Sequence, residues 1–249
     1  MIFNLNKSHF GENKWIWTGS EPVQWAESGD DWMLALPVSG KFTILAGIPL
    51  ADICIVAGGM PGDDGLMGHD PSSKGGNGGG IYEQTGISIP AGEYNITVGG
   101  SGQNSVVAGP TATWTAVSGA GSFGGGQPGS SSQTGADGVL AWNDIDTLLN
   151  PGWLYGAGGG KGDFEGRYDS NGSKPGGSVG DAPHDAKSGH GGEDSDATGY
   201  QLQGYSGAAN TGQGGGGGHY VWYNGNDYTW NGGAGGSGII LIRKHKEVT

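Results

Sequence analysis

The stretch from Gly214 to Lys244, GGGGG-HYVWY-NGN-DYTWN-GGAGGSG-IILIRK, holds in one run every kind of segment from which the chain is built. Its end, IILIRK, is a short apolar run rich in β-branched residues and bounded by glycine, which reads as a buried strand. Its middle places Asn224-Gly225 between two aromatic runs, the strongest short-range signal for a β-hairpin. Strand alternation then puts Tyr220 and Trp222 on one face of the hairpin and Val221 and Tyr223 on the other. The hairpin stands between two glycine tracts, so it reads as an element displayed on a glycine-rich base.

The glycine tracts are phased in threes. Residues 75–80 read GGN-GGG, 232–237 read GGA-GGS and 158–163 read GGG-KGD. An extended helix of the polyproline II type repeats every three residues and makes no internal hydrogen bonds. Its amides and carbonyls must therefore find partners outside the helix. With glycine at two of every three positions, two faces lack Cβ atoms, and such helices can pack and bond laterally as polyglycine II does. The third residue (Asn77, Lys161, Ala234, Ser237) points outward. Flexible linkers are the alternative reading. They do not explain short, triplet-phased tracts flanked by strands and aromatic residues.

Composition sharpens this choice. Glycine supplies 58 of 249 residues, about 23% against a usual ~7%. Leu, Ile, Val and Phe together make up about 17% and the net charge is −13, a combination that points toward disorder. Nine Trp and nine Tyr argue the other way. Collagen is excluded, since glycine keeps no every-third-residue period along the whole chain and there are 11 Pro. The acidic balance disfavours nucleic acid and anionic membrane faces as partners. No stretch approaches the ~18 apolar residues of a membrane span, and the opening MIFNLNKSHF has no signal-peptide apolar core.

Residues 1–57 are an ordinary β-region, Trp-rich, with KWIWTG, DWMLALPV, KFTILAG and ADICIVAG as strands. Pro37–Gly40 and Gly47–Pro49 read as turns between them. Residues 58–249 form the glycine-rich part, with GISIP, EYNITVG, SVVAG, TATWTAV, HYVWY, DYTWN and GIILIRK as further strands. One short helix is expected over Asp144–Leu149, with Asp144 as its N-cap and Asn150-Pro151-Gly152 ending it. The single cysteine, Cys54, lies inside an apolar run and reads as a buried small hydrophobe. The expected fold is all-β: a β-sandwich, jelly-roll-like, combined with packed polyglycine II helices and almost no α-helix.

Catalytic patterns match on paper and fail on context. Gly233 to Gly238 fits G-x-G-x-x-G but precedes a strand instead of following one and opening a helix. Gly176 to Gly180 fits G-x-S-x-G with His184 nearby, yet SNGSKP before it offers no buried strand for a strained elbow. Lys161 follows Gly160, but Tyr155 stands where a phosphate loop needs its first glycine. Asp30-Asp31 and Asp63-Asp64 are carboxylate pairs with nothing in the sequence to set the spacing that glycoside hydrolysis requires. Asp194, Asp196 and Thr198 before Gly199 echo the start of a calcium loop, but Tyr205 replaces its bidentate glutamate. Asp194 and Asp196 therefore stay weak metal candidates. No enzyme activity, no cofactor and no resident metal are expected.

The segments LPVSGKFTILAG, ADICIVAGG and IPAGEYNITVGGSGQNS, with GWLYGAGGGKG at 152–162 and the ending GGAGGSGIILIRKH, resemble glycine-rich bacteriophage tail-fibre and tail-tip proteins. The resemblance runs from about Leu34 to Lys246. It implies a β-sandwich joined to packed polyglycine II helices, located in the virion tail and binding the host cell surface. The implied partners are a surface receptor, glycan or protein, and other tail proteins, with a homotrimer allowed. Residues 1–33 lie outside the likeness, so residues 1–57 are a candidate attachment part continuous with the sandwich. The alternatives are a purely structural virion cap or decoration protein and a tail-borne glycan hydrolase. The expected contact residues are the hairpin aromatics Tyr220, Trp222, Tyr223, Tyr228 and Trp230, joined by Trp153 and Tyr155. Tyrosine and tryptophan supply large contact area at low entropic cost.

Overall fold

A computed structural model of the chain describes residues 15–28, 31–64, 73–122, 124, 134–144, 147–160, 164–165, 182, 188–189, 203–218, 220–223 and 226–244. Two five-stranded antiparallel sheets form a sandwich. The first contains, in spatial order, β1 (Trp15–Gly19), β4 (Gly40–Ile44), β7 (Gly92–Thr97), β8 (Ser105–Ala108) and β9 (Thr113–Ala116). The second contains β2 (Gln24–Ser28), β3 (Asp31–Leu36), β15 (Ile239–Lys244), β5 (Ile48–Val56) and β6 (Ile81–Ile89). Among the described residues there is no α-helix; the fold is all-β.

Period-two alternation fills the core. Trp17, Phe42, Tyr94 and Ile96 from the first sheet meet Trp32, Leu34, Leu36, Ile53, Ile55, Ile240 and Ile242 from the second. The alternate residues of the second sheet, Met33, Ala35, Cys54, Val56, Ile239 and Leu241, form another apolar layer on its outer face. That layer is covered by Ala141 and Tyr155, with Trp142, Leu149 and Trp153 packed around them. Burial on both faces explains why DWMLAL, ADICIV and IILI read as continuous apolar runs and not as alternating ones. β15 lies between β3 and β5, so strands from both sequence regions share one sandwich.

Three expectations need correction. QWAES, unassigned in the sequence, is the edge strand β2, and of the turn expected over Gly47–Pro49 only Gly47 lies outside β5, which begins at Ile48. There, Pro49 and Leu50 bulge from the β5–β6 ladder, with Leu50 at φ 51°. Asp144 does not cap a following helix: it closes a short 3-10 turn over Ala141–Asn143, donating its N–H to the Ala141 carbonyl. Its side chain is committed to Arg243 (2.8 Å) and does not cap.

Beyond Val56, Ile81 and Ile239, the strands β5, β6 and β15 run on as glycine tracts 57–63, 74–80 and 231–238 in the same lateral order. The hydrogen-bond spacing changes there from two residues to three. Ala57, Met60 and Asp63 donate in turn to Gly80, Asn77 and Lys74, while Gly59 and Gly62 donate to Gly236 and Gly233. Along tract 57–63 the donors to each neighbour thus recur at every third residue. Burial follows it. Lys74 and Asn77 are half-buried among buried glycines, and Ala234 is exposed between the buried Gly233 and Gly236.

Tract 212–218 is the hub. It is bonded to 57–63 (Gly215 N to Met60 O), 74–80 (Gly76 N to Gly215 O) and 156–160 (Gly214 N to Ala157 O). It also meets 231–238 (Gly233 N to Gly216 O) and 204–208 (Gly216 N to Tyr205 O), all at 2.7–2.9 Å. The Gln213 side chain reaches a sixth neighbour, donating to Ser188 O at 3.3 Å. The six neighbours bond to one another in a closed ring: Met60 to Asn77, Gly159 to Gly76, Gly160 to Gly189, Gly189 to Ser206, Gly207 to Ala234 and Gly59 to Gly236. A tract with neighbours on every side has no outward face. The five consecutive glycines 214–218 follow from that. A methyl group on Gly215 would overlap the Gly233 carbonyl oxygen, and one on Gly214 the carbonyl oxygen of Gly76.

Candidate functional site

Directions along the array are fixed by the same bonds. Tracts 57–63, 156–160 and 212–218 lead away from the sandwich, and 74–80, 204–208 and 231–238 return to it. At the sandwich end, 204–208 joins 212–218 through a tight turn held by Thr211 Oγ1 donating to Ala208 O (2.8 Å). Asn210 and Gly212 take the left-handed backbone (φ 60° and 68°) that reverses the chain there. At the far end, residues 63, 74, 160, 204, 218 and 231 come together. The connections between 63 and 74, 160 and 204, and 218 and 231 therefore all start and finish at that end.

The hairpin expected from Asn224-Gly225 is present as β13 (Tyr220–Tyr223) and β14 (Asn226–Thr229), paired antiparallel with Val221 opposite Tyr228 and Trp222 opposite Asp227. β12 (Phe164–Glu165) adds a parallel strand beside β13. The turn residues themselves lie outside the described residues. The hub tract feeds β13, and β14 leads back into tract 231–238, so the hairpin is rooted at the centre of the array. Tyr228 is 45% exposed, and its ring lies nearly parallel to that of Trp230, with centroids 6.3 Å apart and planes at 22°. For Tyr220, Trp222 and Tyr223 the structure gives strand and register.

A cleft of about 520 Å³, lined in part by Asn231 and Gly232, which follow Trp230 in the chain, opens at the same end of the array. Pro61, Asp63 and Asp64 from the end of one tract form one wall, Asn231 and Gly232 the other, and Ser101 closes it. Asp64 accepts the Gly232 N–H (2.9 Å) and Ser101 Oγ accepts the Gly235 N–H (2.8 Å), which fixes both side chains. Asp63 is exposed, and only its backbone is used in the array. The sequence singled out Asp63-Asp64 for their charge alone. Ser101 and Asn231 carried no signal, because they join them only through lateral packing of distant tracts.

Trp153 and Tyr155 are elsewhere and do different work. Leu154–Tyr155 is the short strand β11, paired with β10 (Val139–Leu140). Tyr155 is 2% exposed, packed on the outer face of the second sheet, so it is a core residue and not a contact residue. Burial pushes its hydroxyl well above the ordinary tyrosine range, against an opposing hydrogen bond from Asn150 (3.3 Å). Trp153 is half-buried, 6.4 Å from it. Cys54 is fully buried, and desolvation, reinforced by Glu83, raises its thiol well above the usual value, so it is no nucleophile.

The amides of the G-x-G-x-x-G run are already used. Gly233, Gly235, Gly236 and Gly238 donate to Gly216 O, Ser101 Oγ, Gln213 O and Gly99 O, leaving none of the four to cradle a phosphate. Gly176 to Gly180, His184, Lys161, Asp194, Asp196 and residues 1–14 lie outside the described residues. Among the described residues no three His, Cys, Asp or Glu side chains gather as a metal site. What the far end of the array can do chemically is bind, through stacked aromatic rings, carboxylates, an amide and a hydroxyl.

The profile of a family described as a glycine-rich domain matches residues 37–245. No curated protein matches the chain.

Proposed function

The chain belongs to the glycine-rich domain family, and from that premise we propose that it is the receptor-binding module of a bacteriophage tail tip, attaching the virion to the host cell surface. The observation that carries this reading is the polarity of the molecule. The connections 63–74, 160–204 and 218–231 start and finish at one end of the array, while Trp15 at the start of β1 and Lys244 at the end of β15 lie at the opposite end of the sandwich. A laterally bonded glycine core holds the connections on a rigid support, as antibody loops are held on their sandwich. The resemblance of its sequence segments to those of tail-fibre and tail-tip proteins, and the exposed Tyr228 beside the half-buried Trp230, support the same reading.

Labelled protein incubated with a panel of bacterial cells tests it. Saturable binding to some strains is expected, weakened tenfold or more by Tyr228→Ala or Trp230→Ala, and by Trp222→Ala or Tyr223→Ala according to which hairpin face is presented. Melting temperatures should stay within a few degrees. Absence of cell binding for a chain located on tail particles by electron microscopy would favour the structural cap instead. Sugar release from a bound polysaccharide would favour the hydrolase.

A further inference from the structure

We propose that the cleft formed by Asp63, Asp64, Ser101 and Asn231 binds a neutral glycan, with the Tyr228–Trp230 pair stacking on an adjoining sugar ring. This names the ligand class of the receptor-binding end and rests on that reading. The volume, about 520 Å³, is that of a small-ligand site. Its walls offer what a sugar needs. The two carboxylates accept hydrogen bonds from hydroxyl groups, the Asn231 amide donates and accepts, and Ser101, whose oxygen already accepts the Gly235 N–H, keeps its own proton to donate.

Charge decides between glycan classes. Among the described residues the lining holds two aspartates and no lysine or arginine, and the whole chain carries −13. Sialylated, sulfated and phosphorylated sugars would meet repulsion from the two carboxylates. A folded protein partner would need an apolar anchor pocket, and among the described residues the apolar side chains in this lining are those of Pro61 and Ala234. The aromatic pair supplies the remaining element. Trp230 directly precedes Asn231-Gly232, and the exposed Tyr228 beside it offers an aromatic ring for the flat C–H face of a pyranose.

Binding of the full chain to dextran, yeast mannan and a β-galactan, with polysialic acid and heparin as charged controls, tests the proposal. At least one neutral polysaccharide should bind and the charged ones should not. Asp63→Ala and Asn231→Ala should each weaken binding at least tenfold with unchanged melting, because both residues enter the array through backbone groups alone. Trp230→Ala gives an independent check through the stacking ring. Binding to none of the neutral polysaccharides, equal binding to polysialic acid, or wild-type affinity in both cleft variants overturns it. Cell binding that resists periodate and disappears after protease treatment also overturns it, and leaves the receptor-binding reading standing. Glycan binding in solution without any cell binding upholds the cleft and overturns that broader reading instead.

Discussion

Replacing Gly215 by alanine probes the hub of the array. The added methyl group would overlap the carbonyl oxygens of Gly233 and Ala234, which belong to backbone and cannot swing away. Tract 231–238 must then shift outward. The bonds at risk are Gly233 N to Gly216 O and Gly236 N to Gln213 O, both 2.7 Å. A buried hydrogen bond broken with its groups left unsatisfied costs about 1–3 kcal/mol, so the pair is worth roughly 4 kcal/mol. The lower chain entropy of unfolded alanine offsets about 0.4–1 kcal/mol of this. A net loss of about 3–4 kcal/mol is expected, or roughly 6–16 °C in Tm at about 2–4 °C per kcal/mol for a chain of this size. Gly100→Ala is the matched control. The nearest atom to its added methyl would be Gln103 Oε1 at 3.6 Å, with no left-handed φ, so it should be neutral or slightly stabilising. Urea and thermal unfolding of both variants measure the difference. A Gly215→Ala protein within about 0.5 kcal/mol of Gly100→Ala would refute the close-packed array.

Two more outcomes follow from buried polar groups. Arg243 stacks on Trp142 (4.2 Å) and bridges Asp52 (2.9 Å) and Asp144 (2.8 Å), with side chains only 15% and 7% exposed for Arg243 and Asp52. Arg243→Leu, which removes the cation facing the buried Asp52 carboxylate, should cost about 3 kcal/mol in urea unfolding, and a loss below about 1 kcal/mol would contradict that burial. Tyr155 has its pKa raised chiefly by burial above the unfolded value of about 10. Its neutral form therefore favours folding fully below about pH 10, and the advantage is lost as pH rises further, when the unfolded chain releases the proton first. The stability gap between wild type and Tyr155→Phe should be constant from pH 7 to 9 and shift against wild type above about 10. A gap that holds constant to about pH 11.5 would refute the assignment.

Much of the molecule was legible because its signals are local. The strands ADICIV and IILIR announce themselves by β-branched apolar residues, and the hairpin by Asn224-Gly225 between aromatic runs. The N-cap expected of Asp144 is not made: it ends the turn over Ala141–Asn143, and its carboxylate serves Arg243, which is distant in sequence. QWAES was missed because an edge strand with a polar face carries little hydrophobic pattern. Tyr155 looked like a displayed aromatic beside a glycine tract. Its burial depends on the outer face of a sheet whose strands come from both chain ends. The Asp63–Asn231 cleft was invisible for the same kind of reason.

The three-residue phase of the glycine tracts is a sequence property, because a threefold extended backbone turns the same face outward at every third residue whatever lies beside it. The run Gly214–Gly218 likewise fixes that this tract has no face on which a side chain could stand. Which tracts surround it is another matter. Every glycine amide and carbonyl is chemically equivalent, so lateral bonds carry no address, and no residue pairing could be read from 57–63, 74–80 or 231–238 alone. The sheet supplies the address. The order β15-β5-β6 continues into the array, the tight turn at Asn210–Gly212 seats the hub, and Ser188–Gly189 completes the ring. Specific side-chain packing in the sandwich thus sets the register that identical backbone groups could not choose for themselves.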